Sequence, residues 1–307
     1  MNGRFFHTTP GHWPRVSGWA DASAVRSVLG LVATLVAAYL AVLLLFRLFE
    51  NRFIYFPNYP DRLSGDWQPE GLAVQDVWLR TADDVTLHTW WIAREGAEFT
   101  FVAFHGNAAN IANRADIYRF LRNLPANVLA VEYRGYGRSE GTPSEPGLYR
   151  DAEAAYDYLV GQRGITPNRI IAFGGSLGTA VAVDLAARHQ VGGVVLEAPF
   201  ASGKAVARHV YPFLPGLGSV VRSEFDTAGK LARIHVPILV VHCARDPVLP
   251  FALGQELYRL AREPKFFLRV DGRCHEEASL VAPAEYRAQL VAFLKKQHRT
   301  RVPGRSP

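Results

Sequence analysis

The chain has 307 residues, 49% of them hydrophobic, which suits one α/β domain of ~250 residues plus an appendage. Its formal net charge is +6, but the excess sits at the ends: Arg4, Arg15 and Arg26 against Asp21, then Lys295, Lys296, Arg299, Arg301 and Arg305 with no acid. A near-neutral middle excludes a basic face for nucleic acid, and with no ligand-spaced His/Cys/Glu cluster and no P-loop, neither a metal nor a cofactor is expected.

Residues 1–26 are rich in Gly, Pro, Trp and His, show no period, and are expected to be poorly ordered. Val28–Phe46 follows, 19 residues without a charge or a proline. As a helix it spans ~28 Å, close to the ~30 Å hydrocarbon core of a bilayer. A cleavable signal peptide has a shorter apolar region and small residues at its cleavage site. Here Arg47-Leu48-Phe49-Glu50 follows, so residues 27–49 read as an uncleaved transmembrane helix whose partner is membrane lipid. Arg15 and Arg26 on one side nearly balance Arg47 and Arg52 on the other. The positive-inside rule is read as N-terminus inside, which puts the bulk of the chain outside the cytoplasm. Residues 51–59, NRFIYFPNY, suit either the membrane interface or packing under the globular domain.

From residue 50 to 296 strands and helices alternate. Val74–Leu79 and Thr86–Ile92 read as strands around a polar turn, and Phe99–Phe104 as a short apolar strand broken by His105-Gly106-Asn107. A helix over Ile111–Leu124, a strand over Asn127–Tyr133 and a helix over Gly147–Gly161 come next. Arg169–Gly178, RIIAFGGSLG, then runs from a β-branched strand into G-x-S-x-G and a helix of small apolar residues. Further strands are read at Gly193–Leu196, Val236–His242 and Phe266–Val270, with helices at Phe251–Ala261 and Ala284–Lys295. This alternation predicts an α/β fold with a mostly parallel sheet of eight strands and helices on both faces. The irregular stretch 201–234 is too long for an ordinary loop and reads as a short cap-like insertion, or as a helix and turns packed on the sheet. The tail, 297–307, reads as a basic, solvated end.

Strand, sharp turn and helix make G-x-S-x-G a nucleophile elbow, with Ser176 lifted above the strand ends. A serine hydroxyl needs a base within hydrogen-bond reach, and the base needs an orienting group. Of ten histidines, His275 in Asp271-Gly272-Arg273-Cys274-His275 follows the last strand, where the order Ser…Asp/Glu…His puts the base. Asp246 lies on the loop after the preceding strand and is the favoured acid, with Glu197 at the end of the strand after the elbow as its rival. Asp271, Glu276 and Glu277 read as solvated loop charges. An oxyanion needs preorganised donors, assigned to the backbone N–H groups of Leu177 and Asn107. Gly106 permits the close approach there, and His105 reads as a structural anchor of that loop.

These motifs resemble the α/β-hydrolase fold family: HGNAAN after a strand, YRGYGRSEGTPSEPGLYRDAEAAYDYL, GGSLG, ARDPVLP and GRCH stand in its order and spacing. The resemblance covers about Phe53 to Lys296. It is closest to a membrane-anchored subgroup that includes α/β-hydrolase domain-containing proteins 13 and 17, whose LIYFP-like stretch reads here Phe53-Ile54-Tyr55-Phe56-Pro57. Cys243 and Cys274 replace residues that are often glycine, and glycine or threonine, in that subgroup; no reacting group is lost. The resemblance implies a Ser176, Asp246, His275 triad and ester, thioester or amide hydrolysis through an acyl-enzyme. The membrane anchor favours acylated or lipid-like substrates. A peptidase or amidase on the same fold, and a non-catalytic membrane-tethered binding protein, are the alternatives. If Asp246 and His275 touch, Cys243 and Cys274 lie near each other, either as a disulfide, which fits a site outside the cytoplasm, or as two reduced small residues.

Overall fold

Eight short strands pair into a single sheet, and their burial sets their place in it. The computed structural model describes residues 22–299, with side chains described through residue 296. The strands are β1 Gln75–Arg80, β2 Thr86–Ile92, β3 Phe99–Phe104, β4 Ala126–Val131, β5 Ile170–Gly175, β6 Gly193–Glu197, β7 Ile238–Cys243 and β8 Lys265–Val270. Their order is β1-β2-β4-β3-β5-β6-β7-β8, antiparallel at β1–β2 and β2–β4 and parallel elsewhere. β3, β5, β6 and β7 are buried along their whole length and lie in the interior; the partly exposed β1 and β8 form the edges. Parallel strands covered on both faces read as continuous apolar runs, as these do.

In chain order the helices are α1 Ala22–Leu48, α2 Glu50–Ile54, α3 Ala115–Arg122, α4 Glu145–Asp157, α5 Leu177–Arg188, α6 Gly203–Val210, α7 Leu217–Val220, α8 Thr227–Leu231, α9 Phe251–Leu260, α10 Ala278–Val281 and α11 Pro283–Arg299. The two faces of the sheet carry separate cores. Val102, Phe104, Ala172, Leu196 and Val240 pack with Leu148, Val181 and Leu257. Their neighbours in sequence, Phe101, Ala103, Ile171, Val195 and Val241, point the other way, toward Leu121, Tyr286 and Phe293. The two-residue period of the strands divides the cores.

The chain forms two compact units, one ending at Leu45 and one beginning at Phe46. The first contains most of α1, which is long and apolar enough to cross a membrane by length and composition. Leu29, Leu31 and Leu35 on it are exposed. The unordered start expected over 1–26 lies outside the described residues up to 21, while 22–26 are helical; the tail from 300 also lies outside, and 297–299 end α11.

Local signals explain where boundaries differ from the sequence reading. The expected helix from Ile111 opens with a 3-10 turn, because the Asn110 side chain accepts from the N–H groups of Ala112 and Asn113, and α3 begins only at Ala115. α4 starts at Glu145, capped by Ser144 with proline in its first turn, and ends in a π turn over Tyr158–Gln162. The stretch 201–234 folds into α6, α7 and α8, with Ser202 and Asp226 capping α6 and α8. α10, directly after the His275 loop, is a four-residue helix with no side-chain cap and no sequence signal of its own.

Two glycines hold the elbow. A Cβ on Gly178 would overlap the carbonyl oxygen of Phe104 at the end of β3, and one on Gly174 would overlap that of Gly178. Both obstacles are backbone, so neither can swing away. Gly178→Ala should therefore lower unfolding stability by about 1–3 kcal/mol or more, read by chemical denaturation of the full chain in detergent; an unchanged midpoint would contradict this packing.

Candidate active site

Ser176 joins β5 to α5 with φ 46° and ψ −114°, a left-handed conformation that a residue with a Cβ adopts only where its surroundings force it. The turn is held from both sides. The Ser176 N–H donates to Glu197 O (2.9 Å), and the Thr179 hydroxyl and N–H both donate to Ser176 O (2.6 and 3.0 Å).

Ser176 Oγ lies 2.9 Å from His275 Nε2, and His275 Nδ1 lies 2.7 Å from Asp246 Oδ2. An ionised carboxylate only accepts, so Nδ1–H donates to Asp246 and Nε2 is free to accept from the serine. Asp246 Oδ1 accepts from the N–H groups of Val248 (2.7 Å) and Leu249 (2.9 Å) in its own loop. His242, wholly buried at the end of β7, places Nε2 3.1 Å from Leu249 O and 3.3 Å from Asp246 Oδ2. Burial pushes the Asp246 carboxyl up, but the hydrogen bonds from His242 and His275 outweigh it and hold it well below the ordinary carboxylate range. For His275 burial disfavours the cation, yet the bond to Asp246 and the charges of Glu276, Asp246 and Glu277 prevail, so its pKa is raised above 6.5.

The structure thus brings together Ser176, His275 and Asp246 from three loops at the carboxyl end of the sheet. Asn107 and Leu177 line one cavity with Ser176. Leu177 is the first residue of α5, where backbone N–H groups have no intrahelical partner. The Asn107 loop is fixed: its carbonyl accepts from Phe56 N–H (2.9 Å) and the Tyr136 hydroxyl (2.8 Å), and its side chain donates to Ile54 O (3.0 Å). His105 is buried behind it, with Nδ1 2.7 Å from Gly106 O and Nε2 3.1 Å from Glu132.

Glu197, the rival acid, does not reach His275. Its carboxylate accepts from Ala278 N–H (2.9 Å) and the Tyr286 hydroxyl (3.3 Å). Burial, with less relief than Asp246 receives, pushes it to about 8. Asp271 and Glu277 are exposed or nearly so, but Glu276 is not the solvated charge expected: only 14% of its side chain is exposed, and it pairs with Arg114 at 2.8 Å. Cys243 and Cys274 are bonded, with Cα atoms 5.6 Å apart, joining the acid loop to the base loop. Two of these side chains left a trace in the sequence: His242 stands four residues before Asp246, and Glu276 is met by Gly175, an extra glycine inside the elbow.

The cavity at Ser176 has a volume of about 280 Å³ and is mostly apolar, with Phe46, Phe53, Phe200, Val206 and Tyr211 in its wall. A second hollow of about 560 Å³ is lined by His275 itself with Tyr59, Arg114, Arg273 and Glu277.

A mostly parallel sheet with a serine on the turn between β5 and α5, and a histidine and a carboxylate on later strand ends, defines an α/β hydrolase. The family model described as "Serine aminopeptidase, S33" matches residues 97–224. The chain is 34% identical over 272 residues to α/β hydrolase domain-containing protein WAV2 of Arabidopsis thaliana, covering 81% of this chain and 88% of that one. It is 32% identical over 241 residues to α/β hydrolase domain-containing protein 17C of Mus musculus, covering 76% and 72%. The Pyrococcus furiosus esterase Pf2001 shares the fold with a TM-score of 0.64 at 23% identity, over 79% of this chain and 99% of that structure. The chain belongs to the α/β-hydrolase family.

Because Glu197 holds its proton to a higher pH folded than unfolded, its contribution to stability is complete below 4.5 and is lost as the pH rises through about 8. Glu197→Gln keeps an acceptor for Ala278 N–H and removes the titration. The melting temperature of the parent should fall across that range more steeply than that of the variant, and parallel curves would contradict the assignment.

Proposed function

We propose that this α/β hydrolase is a membrane-anchored serine hydrolase that cleaves carboxylester or thioester bonds of acylated or lipid-like substrates through an acyl-enzyme. The observation that carries the reading is the hydrogen-bonded run from Ser176 through His275 to Asp246 beside an apolar cavity. Ser176 Oγ attacks the carbonyl carbon while His275 Nε2 takes its proton; Asp246 holds the imidazole and balances its charge. The N–H groups of Leu177 and Asn107 receive the oxyanion, where loss of one donor typically costs about 10²–10³ in rate. His275 returns the proton to the leaving alcohol or thiol, and water, deprotonated by the same nitrogen, releases the acid.

The cavity wall supports an acyl chain rather than a charged group. The aminopeptidase name of the matching family model raises a second reading, in which a carboxylate receives an amino terminus. Glu50 lines the cavity, but its two oxygens already accept from the N–H groups of Arg222 (2.8 Å) and Ser223 (2.7 Å). That favours ester over aminoacyl substrates. The apolar α1 supports the anchor, and the Cys243–Cys274 bond supports a catalytic unit outside the cytoplasm.

A fluorophosphonate probe should label the full chain, and Ser176→Ala should abolish labelling without loss of fold. Labelling that survives in Ser176→Ala overturns the elbow assignment. The labelled band should stay in the membrane pellet through alkaline carbonate washing, and its release would remove the anchor. Since His275 must be neutral to act and its pKa is raised, the acid limb of the rate should lie above 6.5; a limb below that value would contradict the geometry.

Ala207 on α6 faces the cavity. Ala207→Trp should shorten the acyl pocket, lowering kcat/KM for p-nitrophenyl laurate on the order of tenfold or more while sparing the butyrate. Equal loss on both esters would place the chain elsewhere.

A further inference from the structure

Glu276 follows His275 in sequence, yet its carboxylate turns away from solvent into the space behind the elbow. Arg114 Nη2 holds its Oε2 at 2.8 Å and reaches Ala108 O at 3.2 Å, so the guanidinium ties Glu276 to the loop that contains Asn107. Two glycines receive the carboxylate. A Cβ on Gly106 would come within 2.6 Å of Glu276 Oε2, and a Cβ on Gly175 would land on Glu276 Oε1. At both positions the nearest three atoms all belong to Glu276. Neither glycine has a positive φ, so backbone conformation does not explain them. The space each leaves is the space the carboxylate fills.

These neighbours have one thing in common. Gly106 precedes Asn107, Gly175 precedes Ser176, and Glu276 itself follows His275. We propose that Glu276 is a positioning residue: clamped by Arg114 and seated on Gly106 and Gly175, it sets the spacing between the oxyanion loop, the nucleophile elbow and the base loop. That role rests on the serine-hydrolase reading above. It also gives Glu276 an electrostatic signature. His275 is faced by Asp246 from the β7 loop and by Glu276 and Glu277 from its own, with Arg273 lining the same hollow and Arg114 behind Glu276. His105, Tyr118 and Glu197 line the narrow space around Glu276 on its other side.

The full chain in detergent, labelled with a fluorophosphonate over a range of pH, tests this. Glu276→Ala should label on the order of tenfold to a hundredfold more slowly, the scale expected when reacting groups lose their spacing. Glu276→Gln keeps the shape and an acceptor for Arg114, so it should retain most of the rate. Its acid limb should move to lower pH, because a negative charge facing His275 is gone; a purely structural side chain would leave the limb in place. Gly175→Ala should label poorly, and Gly175→Ala combined with Glu276→Ala should label faster than Gly175→Ala alone, since the obstacle has been removed.

Parent-like rates in Glu276→Ala, an unmoved limb in Glu276→Gln, or losses that simply multiply in the double variant would each overturn the proposal. If Glu276→Ala does not fold, the limb of Glu276→Gln decides by itself. A parent chain that does not label removes the serine-hydrolase reading and this role with it, whereas a labelling parent matched by every variant removes only the role.

Discussion

The backbone of α5 meets the carboxyl end of β3 with no room for a side chain between them. Gly178 lies against Phe104 O and Gly174 against Gly178 O, so strand and helix approach at the closest distance two backbones allow. That contact leaves Ser176 one path between the two elements, the left-handed turn at φ 46°. The strained turn persists because the bonds from Ser176 N–H to Glu197 O and from Thr179 to Ser176 O over-determine it. Parallel pairing does the rest: with β5 flanked by β3 and β6, and β7 next beyond, the loops leaving these strands gather at one edge of the sheet. Ligand sites in open α/β sheets form outside the carboxyl ends of the strands for this reason.

The parts of the site that a single stretch of chain determines were legible from sequence. Gly174-Gly175-Ser176-Leu177-Gly178 states its turn locally, and the alternation of strand and helix places Asp246 and His275 on loops that the fold brings to Ser176. What could not be read is contact across the chain. Arg114 and Glu276 are 162 residues apart, and a glutamate in a polar loop looks the same whether it faces water or a partly buried guanidinium. Its trace was negative, a Gly106 and a Gly175 that no turn requires. Helix boundaries missed for a related reason: the Asn110 side chain competes with the backbone for the first N–H groups and delays α3 until Ala115. In the 201–234 stretch a helix and turns are one of two readings; the helices are short, and the Ser202 and Asp226 caps that start α6 and α8 act over only a few residues.

Much of the wall of the apolar cavity comes from two stretches far apart in sequence. Phe46, Phe53 and Ile54 come from the end of the apolar run and the segment after it, and Val206, Tyr211 and Leu217 from the stretch after β6. Glu50 joins them, its buried carboxylate accepting the N–H groups of Arg222 and Ser223, while Arg222 donates back to Arg47 O (2.7 Å). A buried carboxylate without such donors would cost several kcal/mol, so the two stretches depend on each other for satisfaction as well as for packing.

The same logic separates the two carboxylates that competed for the role of acid. Asp246 and Glu197 both sit at or just beyond the ends of parallel strands, and both side chains are buried. Burial alone would neutralise each. Asp246 escapes through number and kind of donors: two backbone N–H groups on Oδ1 and two imidazoles on Oδ2 keep it ionised and able to hold the His275 proton. Glu197 has one backbone N–H and a tyrosine hydroxyl at 3.3 Å, too little to offset desolvation, and it is pushed to about 8. A carboxyl that retains its proton near neutrality cannot balance an imidazolium. It can hold Ala278, three residues beyond His275, and its backbone carbonyl can hold Ser176. The rival acid therefore acts from behind, on the Ser176 backbone and on the turn that follows His275, and the difference between orienting a charge and fixing a loop comes down to how many donors the fold supplies to each carboxylate.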